Sequence, residues 1–213
     1  MQAIDAEAIE TLGIPRILLM DHAGLSLARA VRTLAPQEAP LVTICCGPGY
    51  NGGDGFAAGR HLKDWGCRVR AILAGRMDRL RQEPAAFARI VSGLGCEIRE
   101  CDAREPADMT GPWLEESAVI IDALLGIGAS GPVREPVATL IAKINAAGRP
   151  VVSADIPSGL HGDTGTVQGS AVRATVTAAF GLVKQGCLTG EGPAYAGRIV
   201  VDPITIPRSL LAP

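Results

Sequence analysis

Aromatic side chains make up only 3% of this 213-residue chain, too few to suggest a platform on which nucleic-acid bases stack. Charge of one sign is equally sparse. The 20 basic and 22 acidic residues leave a formal net charge of -2, with no basic run to follow a phosphate backbone. Nucleic acid is therefore not an expected partner. No apolar stretch approaches the roughly 20 residues of a membrane span. The opening Met1-Gln2-Ala3-Ile4-Asp5-Ala6-Glu7 lacks the basic-then-apolar order of a secretory leader. A cytoplasmic protein without a membrane is the expectation. Cys45, Cys46, Cys67, Cys96, Cys101 and Cys187 form no C-x-x-C pair and have no histidine at a zinc spacing, so they read as reduced core thiols.

What the chain does have is an apolar fraction of 47%, enough for one well-buried α/β domain over residues 1–213. It also has a conspicuous glycine stretch, Gly47-Pro48-Gly49-Tyr50-Asn51-Gly52-Gly53-Asp54-Gly55. This follows the apolar run Leu41 to Cys46 and precedes a helical pattern in Ala58, Leu62 and Trp65. A strand that turns through so many side-chain-free positions into a helix brings backbone N–H groups close to a ligand.

Periodicity orders the rest. Met20, Gly24, Leu27, Val31 and Leu34 share one helix face, with Pro15 suited to the first turn. Strands are expected at 69–74, 97–100, 117–122, 150–155, 175–180 and 197–202, and helices at 84–95 and 134–147. Alternation of this kind predicts a three-layer α/β/α Rossmann-like sandwich with a mostly parallel sheet, whose ligands bind beyond the carboxyl ends of the strands. Gly47 to Asp54, Asp122 and Asp155 all fall at such ends.

Gly47, Gly49 and Gly52 satisfy a dinucleotide-binding spacing, which makes an NADP-dependent oxidoreductase one alternative, with Gly75-Arg76 suited to a 2′-phosphate. Asn51 and Asp54 beside the anion do not belong to an ordinary pyrophosphate turn. Asp54 has a bland reading as a helix cap. Asn51, Asp122 and Ser158 are oxygen donors of low total charge, suited to a hard cation such as a large monovalent ion or magnesium. Asp155, where a strand turns into Ile156-Pro157-Ser158-Gly159, is either a turn initiator or a general acid or base. Lys184 at that point is ordinarily solvated, or meets a phosphate.

Together these segments resemble the YjeF N-terminal domain family, the NAD(P)H-hydrate epimerases. The likeness is carried by Leu19 to Gly24, Gly47 to Asp54, Asp122 to Gly128, Asp155 to Gly159, Thr175 to Lys184, Tyr195 to Gly197 and Ile206-Pro207. It implies an isomerase that interconverts the R and S forms of NADH and NADPH hydrated at ring carbon 6, commonly as a homodimer. It further implies one potassium ion per subunit at Asn51, Asp122 and Ser158. The substrate pocket would comprise Tyr50, Asn51, Gly52, Gly53, Asp54, Gly126, Ile127, Gly128, Ala129, Ser130, Gly131, Pro132 and Asp155, with Asp155 catalytic. A dehydratase, often fused in this family, is expected here as a separate partner because the sequence stops at Pro213. Tyr50 stands where the family usually has a second asparagine. Family folds also occur as non-catalytic binding modules, the other alternative.

Overall fold

The computed structural model describes residues 2–102, 110–129 and 131–211. Seven strands, β1 (Leu41–Cys46), β2 (Arg68–Ala74), β3 (Glu97–Cys101), β4 (Val119–Ala123), β5 (Val151–Ala154), β6 (Val176–Phe180) and β7 (Arg198–Asp202), form one sheet in the order β3-β2-β1-β4-β5-β6-β7. Every pairing is parallel. β1, β4, β5 and β6 are buried along nearly their whole length, as coverage of both faces requires. β2 begins with exposed Arg68 and half-buried Arg70 before its buried stretch, and β7 at the edge is half open to solvent.

Helices α1 (Gln2–Ala6), α2 (Arg16–Leu34), α3 (Tyr50–Asp64) and α4 (Gln82–Gly93) precede α5 (Gly111–Glu115) and α6 (Val137–Ala146) in the chain. Side chains alternate along each strand, so the sheet feeds two cores. Ile44, Leu73 and Ile121 join Leu27, Phe56 and Val91 of α2, α3 and α4. Cys45, Ile72 and Ile120 join Trp113, Leu140 and Ile141 of α5 and α6. The three-layer expectation holds, with a sheet that is parallel throughout.

Pro15 precedes α2 as expected, and Gly66 leaves α3 with φ +81°. Trp65 departs from expectation. Ala58 and Leu62 are fully buried, but Trp65 caps the helix end and stays 38% exposed beside the ring of His61. Sequence periodicity also passed over α1 and the π-helical turn Glu7–Thr11 that extends it. All six cysteines are buried. Among the described residues no helix is long and apolar enough to cross a membrane.

From β1 the chain winds to β2 and β3 on one side, then returns to β4 on the other side of β1. The loops leaving β1 and β4 therefore diverge, and a crevice opens at the carboxyl rim between them.

Candidate active site

The two diverging loops touch through backbone. A Cβ on Gly47 would lie 1.8 Å from the Leu124 carbonyl oxygen, and one on Gly52 would lie 1.9 Å from the carbonyl oxygen of Gly47. Neither position admits a side chain. The loop then enters α3 at Tyr50, and Asn51 in its first turn donates from Nδ2 to the Leu125 carbonyl at 3.0 Å. That bond ties the β1 loop to the β4 loop. Asp54 is not the helix cap: it sits in the second turn of α3, in the wall of a cavity of about 610 Å³. This volume suits a small-molecule ligand.

Asp122 is wholly buried in β4. Its carboxylate accepts from Ser153 Oγ at 2.7 Å, Ser158 N at 2.9 Å, Ser158 Oγ at 2.5 Å and Leu124 N at 3.3 Å. Register explains the first contact, because Asp122 lies directly opposite Ser153 on β5. Ser158 Oγ also accepts from Leu125 N at 2.8 Å. Asn51, Asp122 and Ser158 thus meet around Leu125. Burial raises the Asp122 pKa, although the four donated bonds oppose it. Among the described residues there is no cluster of three or more histidine, cysteine, aspartate and glutamate side chains that could hold a metal ion. The Asn51, Asp122 and Ser158 group has a different composition, with a single carboxylate.

Asp155 follows β5 with φ +67°, a left-handed backbone that non-glycine residues adopt mainly where surrounding structure enforces it. Its amide donates to the Ala178 carbonyl at 2.8 Å. Oδ1 accepts both from Phe180 N at 3.0 Å and from Lys184 Nζ in a tight ion pair. Lys184 is only 6% exposed and also donates to the Phe180 carbonyl at 2.8 Å. It is not the solvated lysine expected: Gly181, at φ +69°, turns the chain so that the side chain folds back over β6. Among the described residues Oδ2 of Asp155 has no protein donor. That oxygen is left for a ligand.

Burial raises the pKa of Asp155 against the opposing pull of Lys184 and Phe180 N–H. Asp54 is pushed well above the ordinary carboxylate range, first by burial and then by the nearby charges of Asp155 and Asp5. Cys187 beside them is raised to about 11 by burial, so it is not a thiolate nucleophile at neutral pH.

The wall includes Tyr50, Asn51, Asp54, Gly126, Ile127, Gly128, Ala129 and Asp155. Gly52 lies behind it against Gly47, and Gly53 packs toward Met20. Gly131 and Pro132 are not in the wall, and Ser130 lies outside the described residues. Asp5, Ile9 and Glu10 line the cavity without having been singled out as site residues. The signal available was weak: Ile4 and Ile9 pack on the core beside buried Ala8, while acids fill the intervening positions.

Residues 17–186 match the family described as YjeF-related protein N-terminus. The chain belongs to this family. One YjeF-related relative, the NAD(P)H-hydrate epimerase of Limosilactobacillus fermentum, is 39% identical over 94% of this chain and 92% of its own length. The bifunctional NAD(P)H-hydrate repair enzyme Nnr of Thermofilum pendens is 40% identical over 99% of this chain and 40% of its own. This chain thus spans about two fifths of such bifunctional relatives. The crystal structure of yeast YNL200c superposes with a TM-score of 0.84 at 25% identity, covering 98% of this chain and 88% of that one. Arg76 is outside the wall and pairs with Glu100 at 3.2 Å and with Asp78 and Asp102 at 3.8 Å.

Proposed function

We propose that this protein interconverts the R and S forms of hydrated NADH and NADPH at carbon 6 of the nicotinamide ring, a non-redox isomerisation that serves metabolite repair. The observation that carries the reading is Asp155: a buried carboxyl in the cavity wall, anchored through Oδ1 alone, with Oδ2 left without a protein donor among the described residues. The near-equal length of the epimerase relative supports it.

Loss of the carbon 6 hydroxyl needs a proton on the departing oxygen. In this mechanism Asp155 Oδ2 supplies it, so that water leaves and the ring nitrogen shares the positive charge left on carbon 6. Asp155, now a carboxylate, then takes a proton from water adding to the opposite face. The carboxyl ends as it began. Asp5 and Asp54 line the same cavity, and in their ionised forms they favour the cationic intermediate over its neutral precursor. Lys184 holds Asp155 in place while limiting the rise that burial imposes on its pKa.

The ion site fits on chemical grounds. Asn51, Asp122 and Ser158 offer oxygen with one carboxylate, and that carboxylate is fully buried among neutral donors. These three would hold one potassium ion per subunit, which would supply a fixed positive charge beside the glycine turn when bound. A cytoplasmic homodimer is the setting this reading implies, with a dehydratase acting on hydrated NAD(P)H as its functional partner.

The test is incubation of the protein, in potassium buffer, with purified R-form hydrated NADH, following the S form by chromatography. Accelerated appearance of the S form is expected. A rate equal to the protein-free control would overturn the reading in favour of a non-catalytic binding module.

A further inference from the structure

Three elements converge on the exposed side of the cavity through one aromatic ring. Tyr50, at the start of α3, is 37% exposed. The guanidinium carbon of Arg16, at the start of α2, lies 4.6 Å from its ring centroid, and that of Arg81, immediately before α4, lies 5.2 Å away. All three side chains belong to the cavity wall. Two like charges gathered at one ring repel each other, and an exposed ring attracts each only weakly. Among the described residues neither arginine forms an ion pair or a hydrogen bond. By contrast, Arg60, Arg70 and Arg76 each have a carboxylate partner.

The cavity is therefore polarised. Its buried side gathers Asp5, Asp54 and Asp155 beside the cation Lys184, while its outer edge carries two arginines that form no ion pair among the described residues, Arg16 acting on Asp5 only through its field. Guanidinium groups match phosphate oxygens in shape and charge, and stacking on a ring limits the freedom lost when they bind. A dinucleotide hydrated at its nicotinamide end has the complementary polarity, with a ring that becomes cationic during reaction and phosphates that are anionic throughout.

We infer that Arg16 and Arg81, held over the ring of Tyr50, form an anion clamp that binds a phosphate group of the dinucleotide at the cavity mouth. The identity of the ligand rests on the proposed epimerase reading; the clamp itself does not require the reaction. Arg16 and Arg81 are binding residues here, and Tyr50 is a positioning residue that acts through them.

The test compares Arg16→Gln, Arg81→Gln, Tyr50→Leu and Tyr50→Phe, with hydrated NADH and hydrated NADPH as substrates. Each arginine substitution is expected to raise KM about tenfold with kcat within about twofold. Tyr50→Leu raises KM, and Tyr50→Phe, which keeps the ring, restores it. Equal increases for both substrates identify the pyrophosphate; an increase confined to hydrated NADPH identifies the 2′-phosphate. Unchanged KM for both substrates, or a loss in kcat alone, overturns the clamp. Calorimetric titration with ADP and with adenosine separates this inference from the enzymatic one. Should the wild-type protein prove inactive, the clamp stands if ADP binds, adenosine does not, and either arginine substitution weakens ADP about tenfold. It falls if ADP and adenosine behave alike.

Discussion

Asp122 and Asp155 leave neighbouring strands on the same rim, are both buried, and both have carboxyl pKa values raised by burial. Their remaining bonding capacity separates them. Both oxygens of Asp122 are occupied by donors, all of them neutral, from Ser153, Ser158 and Leu124. Asp155 puts its bonds on one oxygen, takes a cation as one partner, and presents the other oxygen toward a cavity. Burial alone thus does not mark a reactive carboxyl. A saturated one fixes two loops, whereas a half-satisfied one on a strained backbone has an oxygen to spend on a ligand.

The largest expected effect comes from Asp155→Asn. Asparagine tolerates a left-handed backbone and keeps an oxygen for Phe180 N–H and Lys184, so the fold should survive. Loss of the proton donor should lower kcat/KM by about 10²- to 10⁴-fold, measured with purified R-form substrate. The wild-type kcat should fall as pH rises through the raised Asp155 pKa, because the protonated form starts the cycle. The variant should lack that limb. Asp122→Ala tests the other carboxyl: it strands several buried donors, so urea unfolding should report a loss of about 3 kcal/mol. If Asp155→Asn cost more stability than Asp122→Ala, the division between reactive and anchoring carboxyls would be wrong.

Much of this contrast was legible in the sequence. Apolar runs ending in Asp122 and Asp155 fixed both at the carboxyl rim, and Gly47 to Gly55 marked the turn beside them. Strand and helix alternation was enough for the sheet because the strands at its centre, β4 and β5, are buried on both faces. What sequence could not supply were contacts between distant segments. Lys184 reaches Asp155 across 29 positions only because a turn after β6 reverses its direction. Arg16 and Arg81 meet at Tyr50 from opposite sides of the chain, and no local pattern encodes that meeting. Trp65 illustrates the converse, where a helical spacing continued past the last buried turn.

Asp54 sharpens the comparison because it is a cavity carboxyl with neither kind of support: no hydrogen bond or ion pair to it is present among the described residues. Burial and the charges of Asp155 and Asp5 raise its pKa well above the ordinary 3.8. A folded-state pKa above the unfolded one contributes stability that is full below about 3.8 and is lost as pH rises through the raised value. Asp54→Asn should therefore raise the melting temperature at pH 8. It should make little difference near pH 3.5. Thermal melting at the two pH values checks this, and an equal shift at both would mean that ionisation of Asp54 is not the cause.

The smallest effect asks whether Asp122 has a cation after all. Lys184 serves Asp155, but Asp122 meets only neutral donors, so a monovalent ion at Asn51, Asp122 and Ser158 would be its counterpart. Binding to the folded state alone stabilises in proportion to the logarithm of occupancy, about 1 kcal/mol at five times the dissociation constant. Melting in potassium chloride should then exceed melting in lithium chloride at equal ionic strength by a few degrees. The difference should vanish in Asp122→Asn, which removes the charge, and persist in Asp155→Asn, which leaves the donor set intact. Equal melting of the wild type in both salts would leave Asp122 as a hydrogen-bonded anchor with no ion to balance it, and its four donors would be the whole reason that a charge survives there.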